Sequence, residues 1–390
     1  MTLNESRLKP RNNAKICFVG LGHTYSLLIG GLPKNIIGPD VHQVLLAKEL
    51  VKHGADVTFI VYNVAERDTE LIDGINVISI QKVTTSIRII NIMLNFINIF
   101  RAMKASKANI YFHAGSAFGI ASVFSKLLRK KFIYSVASDA LVNTKIITKK
   151  NKEFNQSRTN LSTFGNWLDI KLADDIIVQS EHQRKMLTLN YKRNSKIIKM
   201  PFPISKRETF IKAEPPIILW VGAMAEVKQP ELFIYLAKRM PDAKFVMIGG
   251  STLANLPLYE RIKKNSKKIP NLDFLGTVPF HEIDKYFSRA SILVNTSMFE
   301  GFPNAFIQAW IHYVPVVSLN ADPDGLISQK KLGLYSKTFE QLVEDVEILS
   351  KNKEQRKKIA QNARMYVERN HDITKISAEY IKLFEQTLEG

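Results

Sequence analysis

The stretch Asn295-Thr296-Ser297-Met298-Phe299-Glu300-Gly301-Phe302-Pro303-Asn304-Ala305-Phe306-Ile307-Gln308-Ala309-Trp310 follows an apolar run, turns through Gly301 and Pro303, and opens a helix near Asn304. Proline suits the first helical turn, where its missing N–H is no loss. The N–H groups of Asn304 and Ala305 then point out of the helix start, where an anionic oxygen is favoured. Glu300 precedes that helix and Gln308 lies one turn into it, so both can face one ligand. A carboxylate and an amide suit sugar and ribose hydroxyls, which donate and accept hydrogen bonds. A structural reading competes: Ser297-x-x-Glu300 has the form of a helix capping box, which makes Glu300 a cap.

Other reactive residue types are sparse. His23, His42, His53, His113, His182, His281, His312 and His371 are scattered without ligand spacing, so no zinc site is expected. His113, near a strand end, is a candidate acceptor contact, with a satisfied loop histidine as the plainer reading. The single cysteine sits in Ile16-Cys17-Phe18-Val19 and reads as a small buried hydrophobe. With no possible internal disulfide, a reducing cytoplasm fits. The first fourteen residues lack the apolar centre of a secretory signal, so export is not expected.

The elements around these residues alternate. Lys15 to Val19 reads as a buried strand, followed by a loop with Gly20, Gly22, Gly30, Gly31, Pro33, Gly38 and Pro39. Val41, Val44, Leu45, Ala47, Leu50 and Val51 recur at helical spacing before the strand Val57 to Val61. A glycine-rich loop feeding a helix brings backbone N–H groups to a phosphate. Strands follow at Ala108 to His113, Phe132 to Val136 and Ile176 to Gln179, with a helix at Ala121 to Leu128. After a polar stretch the pattern restarts with Ile217 to Val221, Phe245 to Ile248, Leu272 to Leu275, Ile292 to Asn295 and Val314 to Leu319. This alternation predicts parallel sheets covered on both faces. At 390 residues the chain exceeds what one core usually absorbs, so two domains are expected: residues 1–200, a linker at 201–215, and residues 216–370. Two such α/β halves leave a central cleft, with strand ends gripping a ligand from both sides.

Charge is uneven. The chain carries net +19, of which residues 1–200 hold +15 and residues 201–390 only +4. Residues 82–158 have fourteen basic side chains, including Lys126, Arg129, Lys130, Lys131, Lys149, Lys150 and Lys152, against Asp139 and Glu153 alone. Such a patch attracts a polyanion or an anionic membrane surface. Ser86 to Phe100 is apolar apart from Arg88, Asn91, Asn95 and Asn98, which fall at spacings of three and four. It is too short to span a bilayer and reads as an amphipathic helix, packed into its domain or, as the second reading, seated on a membrane surface.

The Glu300 segment resembles the E-x7-E signature of glycosyltransferase family 4. The resemblance extends through Trp220-Val221-Gly222, Lys228-Gln229-Pro230-Glu231, Gly249-Gly250, Leu275-Gly276, Pro315-Val316-Val317 and Asp322-Pro323-Asp324-Gly325. In the front half Gly38, His42, Leu46, Ala47, Leu50 and Gly54, and Ala173 through Glu181, resemble the family more loosely. It implies a GT-B fold, two Rossmann-like domains with parallel sheets facing the cleft, and a helix in residues 371–390 packing back on the front domain. Lys228 is implied to neutralise the donor diphosphate, Glu300 to hold the transferred sugar, and Gln308 the ribose. The backbone of Gly301, Phe302, Pro303, Asn304 and Ala305 would meet phosphate and sugar, and Gly38 would let the front loop approach the diphosphate. Gly222 lines the donor side, base selectivity would lie around Gly249, Gly276 and Val278, and Ser138 and Asp139 would stand beside the sugar. Two residues depart from the pattern: Ala223 stands where an arginine is usual, and Gln308 replaces the second glutamate.

The implied activity is retaining transfer of a hexose-type sugar from a nucleotide-diphosphate sugar to a saccharide or lipid-linked acceptor, in bacterial surface polysaccharide or glycolipid assembly (lipopolysaccharide or capsule). No cofactor or metal is expected, the resemblance placing Asp322-x-Asp324 away from a metal role. The expected site of action is cytoplasmic, peripheral at the inner face of the plasma membrane, with no nucleic acid partner. Two readings compete: a catalytically weak subunit binding nucleotide-sugar or glycan, suggested by Ala223, and a nucleic-acid-binding protein, suggested by the charge. The second lacks a recognition helix, zinc module or aromatic-rich strand signature.

Overall fold

Apolar runs of four to six residues become strands buried on both faces, as Lys15–Gly20, Ile110–Ala114, Ile217–Val221, Lys244–Ile248 and Ile292–Asn295 show. The computed structural model describes residues 14–22, 24–31, 38–62, 68–115, 119–143, 160–205, 212, 214–251 and 255–390. They fall into two units, one drawn from Met1–Ile29, Ile37–Pro203 and Ile373–Gly390, the other from Gly30–Ile36 and Ile204–Asp372. His23, Lys149, Lys150, Lys152 and part of the 201–215 stretch lie outside the described residues.

The first unit runs β1 (Lys15–Gly20), α1 (Thr24–Leu28), α2 (Gly38–Lys52), β2 (Asp56–Tyr62), β3 (Thr69–Ile72), β4 (Ile75–Ile80) and α3 (Arg88–Ser106). It continues with β5 (Ile110–Ala114), α4 (Ile120–Leu127), β6 (Lys131–Ser135), α5 (Asn160–Leu172), β7 (Asp175–Val178), α6 (Glu181–Tyr191) and β8 (Lys196–Ile197). The sheet order is β3-β4-β2-β1-β5-β6-β7-β8, parallel except for the β3–β4 hairpin. That hairpin turns through Asp73 and Gly74, both at positive φ, the mirror-image turn whose twist matches the flanking strands. It is absent from the sequence expectations although Asp-Gly is a hairpin signal.

The second unit runs β9 (Ile217–Val221), α7 (Pro230–Arg239), β10 (Lys244–Ile248), α8 (Leu256–Ser266), β11 (Leu272–Gly276), α9 (Asp284–Arg289) and β12 (Ile292–Asn295). Then come α10 (Asn304–Ile311), β13 (Val316–Ser318), α11 (Leu326–Lys330), β14 (Gly333–Tyr335), α12 (Phe339–Lys351) and α13 (Lys353–Asn370). Its sheet is parallel, in the order β11-β10-β9-β12-β13-β14. The order reverses beside β9, whose neighbours are β10 on one side and β12 on the other. Open sheets of this kind bind ligands at such a switch point, beyond the carboxyl ends of the strands.

The last helix, α14 (Ile373–Glu389), belongs to the first unit. Its Tyr380 hydroxyl lies 3.1 Å from His42 Nε2, and Thr387 donates to Asp175 Oδ2 at 2.7 Å.

Helix α3 corrects the packed-helix expectation. Its C-terminal half is buried through Ile99, Ala102 and Met103, but Ile89 is 77% and Met93 55% exposed, with Phe96 and Ile97 also exposed. Among the described residues no helix is long and apolar enough to cross a membrane.

Candidate donor site at the switch point of the second sheet

Lys228 follows β9 and Glu300 follows β12, so the sheet order brings both to the switch point although 72 residues separate them. The two loops are joined by specific bonds. The Trp220 indole donates to Thr296 Oγ1 at 2.9 Å, and that hydroxyl donates to the Lys228 carbonyl at 2.7 Å. The Met298 amide donates to the Val227 carbonyl at 2.9 Å. Lys228 Nζ thereby reaches Glu300 Oε1 and forms an ion pair, the side chains being 25% and 13% exposed.

The same Glu300 oxygen accepts a second hydrogen bond. Asn295 Nδ2 donates to Ser297 Oγ at 3.2 Å, and Ser297 Oγ donates to Glu300 Oε1 at 2.6 Å. This removes the capping-box alternative. The helix begins at Asn304, Pro303 is its N-cap with no side-chain cap bond, and Ser297 serves the Glu300 carboxylate instead of a helix amide. Thr296 is a supporting residue that sequence reasoning left without a role, and Ser297, read there as a cap, supports the carboxylate instead. The only signal for Thr296 was position, directly after a buried strand.

The glycines at the strand ends explain how the floor of the site is built. Gly222, Gly249 and Gly276 terminate or follow β9, β10 and β11, and the Gly222 amide donates to Ile248 O at 3.1 Å while the Gly249 amide donates to Gly276 O at 2.9 Å. A Cβ on Gly249 would lie 2.1 Å from the Gly222 carbonyl oxygen, so no larger residue fits without moving the backbone. Gly276 has φ +67°, and Val278 beyond it is buried. Ala223, next to Gly222, is exposed.

Along α10, Phe302 packs edge-on to Trp310 at 6.2 Å, fixing the turn Gly301-Phe302-Pro303 against the helix that Asn304 and Ala305 open. Gln308, one turn into that helix, is 6% exposed. Asp322 is committed elsewhere: its carboxylate accepts from the Ile327 amide at 2.7 Å and the Ser328 hydroxyl at 2.6 Å. Among the described residues no group of three or more His, Cys, Asp or Glu side chains could hold a metal ion.

The remaining candidates lie in the first unit. Gly38 is the first residue of α2. Ser138 precedes a 3-10 turn beginning at Asp139, after β6, and Asp139 Oδ1 accepts from Gln183 Nε2 at 3.0 Å. His113 lies within β5 and is 6% exposed, with Nδ1 2.6 Å from the Val19 carbonyl. Nδ1 therefore carries the proton, and Nε2 has no partner among the described residues. Burial pushes its pKa down to about 4, against the opposing effect of the Val19 bond. Cys17 is fully buried, and burial pushes its thiol up to about 12, as a small inert hydrophobe requires.

Residues 202–366, which hold the whole switch-point cluster, match the family of glycosyl transferases group 1. Over 168 residues the chain is 28% identical to an uncharacterized glycosyltransferase of Methanocaldococcus jannaschii, covering 38% of this chain and 40% of that protein. The chain thus spans well under two thirds of that relative. Sucrose-phosphate synthase from Thermosynechococcus elongatus superposes with a TM-score of 0.80 at 16% identity, covering 96% of this chain and 99% of that one. Anabaena HepE, solved in complex with UDP and glucose, superposes at 0.74 with 14% identity, covering 96% and 100%. The chain is an α/β protein of the GT-B fold, with two Rossmann-like units, whose second unit carries the match to glycosyl transferases group 1.

Proposed function

We propose that the protein is a retaining glycosyltransferase that moves a hexose-type sugar from a nucleoside-diphosphate sugar to a saccharide or lipid-linked acceptor. The observation that carries this is the Lys228–Glu300 pair at the switch point, above strand ends that meet at glycines. In transfer, the bond from the anomeric carbon to the diphosphate breaks and one to the acceptor oxygen forms on the same face, the hydroxyl proton passing to a diphosphate oxygen. Lys228 neutralises the charge growing on the leaving diphosphate, a role in which a fixed cation lowers the barrier. Glu300, released from Lys228, accepts hydrogen bonds from the sugar hydroxyls, Gln308 binds the ribose, and the start of α10 faces anionic oxygens. Gly38 and the Ser138–Asp139 turn serve from the first unit, His113 on the acceptor side. We assign neutralisation of the diphosphate to lysine without a divalent ion. That HepE binds UDP and glucose on the same fold supports a nucleoside-diphosphate donor.

The basic front half fits an anionic membrane surface, which in turn fits a lipid-linked acceptor and a place in surface polysaccharide or glycolipid assembly at the inner face of the plasma membrane. Ala223, exposed where an arginine is usual, favours a second reading, a partner subunit that binds donor with little turnover.

The test is a thermal-shift screen against UDP-, GDP-, ADP- and CMP-sugars with and without EDTA, on the native protein, Lys228→Ala and Glu300→Ala. A ligand bound to the folded state raises the melting temperature by mass action. A shift for one donor class, insensitive to EDTA and lost in Lys228→Ala, is expected. No shift at millimolar donor sinks the proposal, and a shift without sugar transfer to any acceptor favours the partner subunit.

A further inference from the structure

Helix α3 is amphipathic the wrong way round for a helix on a soluble domain. Its polar stripe faces its own chain: Asn91 accepts from the Thr85 amide at 2.5 Å and donates to the Thr85 carbonyl at 2.8 Å. Asn95 does the same with Val83, at 2.9 and 3.0 Å. Both amides are used up in holding residues 83–85 against the helix. The opposite face, Ile89, Met93, Phe96 and Ile97 at i, i+4, i+7 and i+8, is left to solvent. Phe124 of α4 meets Phe96 and Phe100 edge-on at 6.4 and 5.2 Å, and Leu127 beyond it is 66% exposed, so the apolar surface continues onto α4. A contiguous exposed apolar surface of this kind marks an interaction site.

Its surroundings name the partner. Residues 82–138 hold nine Lys and Arg and no Asp or Glu. Of these, Arg101 and Lys104 are exposed further along α3, and Arg129 is exposed just past α4. A second copy docking through this face would bring like charge onto like charge. An anionic lipid surface offers phosphates to the rim and acyl chains to the stripe, and basic rims around apolar helix faces bind such surfaces through both contributions.

We propose that α3 is a membrane anchor that lies in the plane of an anionic bilayer with Ile89, Met93, Phe96 and Ile97 sunk into the boundary between headgroups and acyl chains. This goes beyond electrostatic seating of the basic half and rests on it. It also positions the unit that would receive a lipid-linked acceptor.

The full chain is tested on phosphatidylcholine vesicles with and without phosphatidylglycerol. Because Cys17 is 0% exposed, an environment-sensitive dye can be placed at Met93→Cys, with Ile348→Cys on the exposed face of α12 as control. Flotation with the phosphatidylglycerol vesicles and a blue shift at position 93 but not 348 are expected. The triple variant Ile89→Ser, Met93→Ser, Ile97→Ser should bind the vesicles about tenfold more weakly or worse, with its melting temperature and donor-induced shift unchanged. If the triple variant binds like the native chain, charge alone seats the protein and the anchor is overturned while the seating stands. If the native chain binds no vesicle, both fall, and the donor shift still reports separately on the transferase. A concentration-dependent dimer lost in the triple variant, without vesicle binding, makes the face a subunit interface and also overturns the anchor.

Discussion

Replacing Glu300 by glutamine should tighten binding of the free nucleoside diphosphate while lowering sugar transfer. In the structure Lys228 is engaged by Glu300, and a diphosphate must take the ammonium away from that carboxylate before it can use it. The pair is neither fully exposed nor fully buried, at 25% and 13% side-chain exposure. Exposed pairs contribute up to about 1 kcal/mol, and breaking buried ones costs about 3–5 kcal/mol, so roughly 1–2 kcal/mol is the reasonable value here. Glutamine keeps the shape and the Ser297 hydrogen bond but removes the charge, so the energy otherwise used in parting the pair is returned to binding. At about 1.4 kcal/mol per decade, the diphosphate should bind about 5- to 30-fold more tightly. Transfer should fall because the proposed role of Glu300, holding the sugar hydroxyls, needs its carboxylate. Isothermal titration with the nucleoside diphosphate of the donor class found by thermal shift measures the first effect, and product formation the second. Diphosphate affinity that is unchanged or weaker in Glu300→Gln would refute the idea that Glu300 competes for Lys228.

Gly249→Ala should lower the melting temperature and abolish the donor-induced shift, because its Cβ would stand 2.1 Å from the Gly222 carbonyl oxygen, and overpacking at backbone costs about 1–3 kcal/mol; an unchanged shift would mean that the β9–β10 end is not part of the site. Ala223→Arg should strengthen donor binding by about 3- to 10-fold by adding a cation beside Gly222, read by the same titration; no gain would show that this position does not reach the diphosphate. Burial holds His42 and His113 near pKa 4 against 6.5 for the unfolded chain, so the first unit should be most stable above pH 6.5 and lose stability as pH falls toward 4. The sign follows because the unfolded chain takes up protons in that window and the folded one does not, at roughly 3 kcal/mol per histidine. Urea unfolding between pH 7 and 4.5 measures it, and a flat profile that His113→Leu leaves unaltered would contradict the assignment.

What the sequence by itself determined follows from local patterning. The expected strands Ile217–Val221 and Ile292–Asn295 coincide with β9 and β12, and the helix expected near Asn304 begins there, because apolar runs, glycines and a proline act over a few residues. The β3–β4 hairpin was legible in Asp73-Gly74 and overlooked, since its half-exposed edge strand lacks a continuous apolar run. Tertiary structure decided the rest. Ser297-x-x-Glu300 fits a helix cap or a ligand group equally well until the helix is seen to start at Asn304, which leaves the Ser297 hydroxyl to the carboxylate. The meeting of Lys228 with Glu300 depends on strand order and on the Trp220–Thr296–Lys228 bonds, none of which has a local signature. Helix α3 shows the limit most clearly: periodicity reveals that it has two faces, but which face meets water was set by the backbone of Val83 and Thr85 capturing Asn95 and Asn91, and hydrogen-bonding groups so engaged turn the apolar side outward.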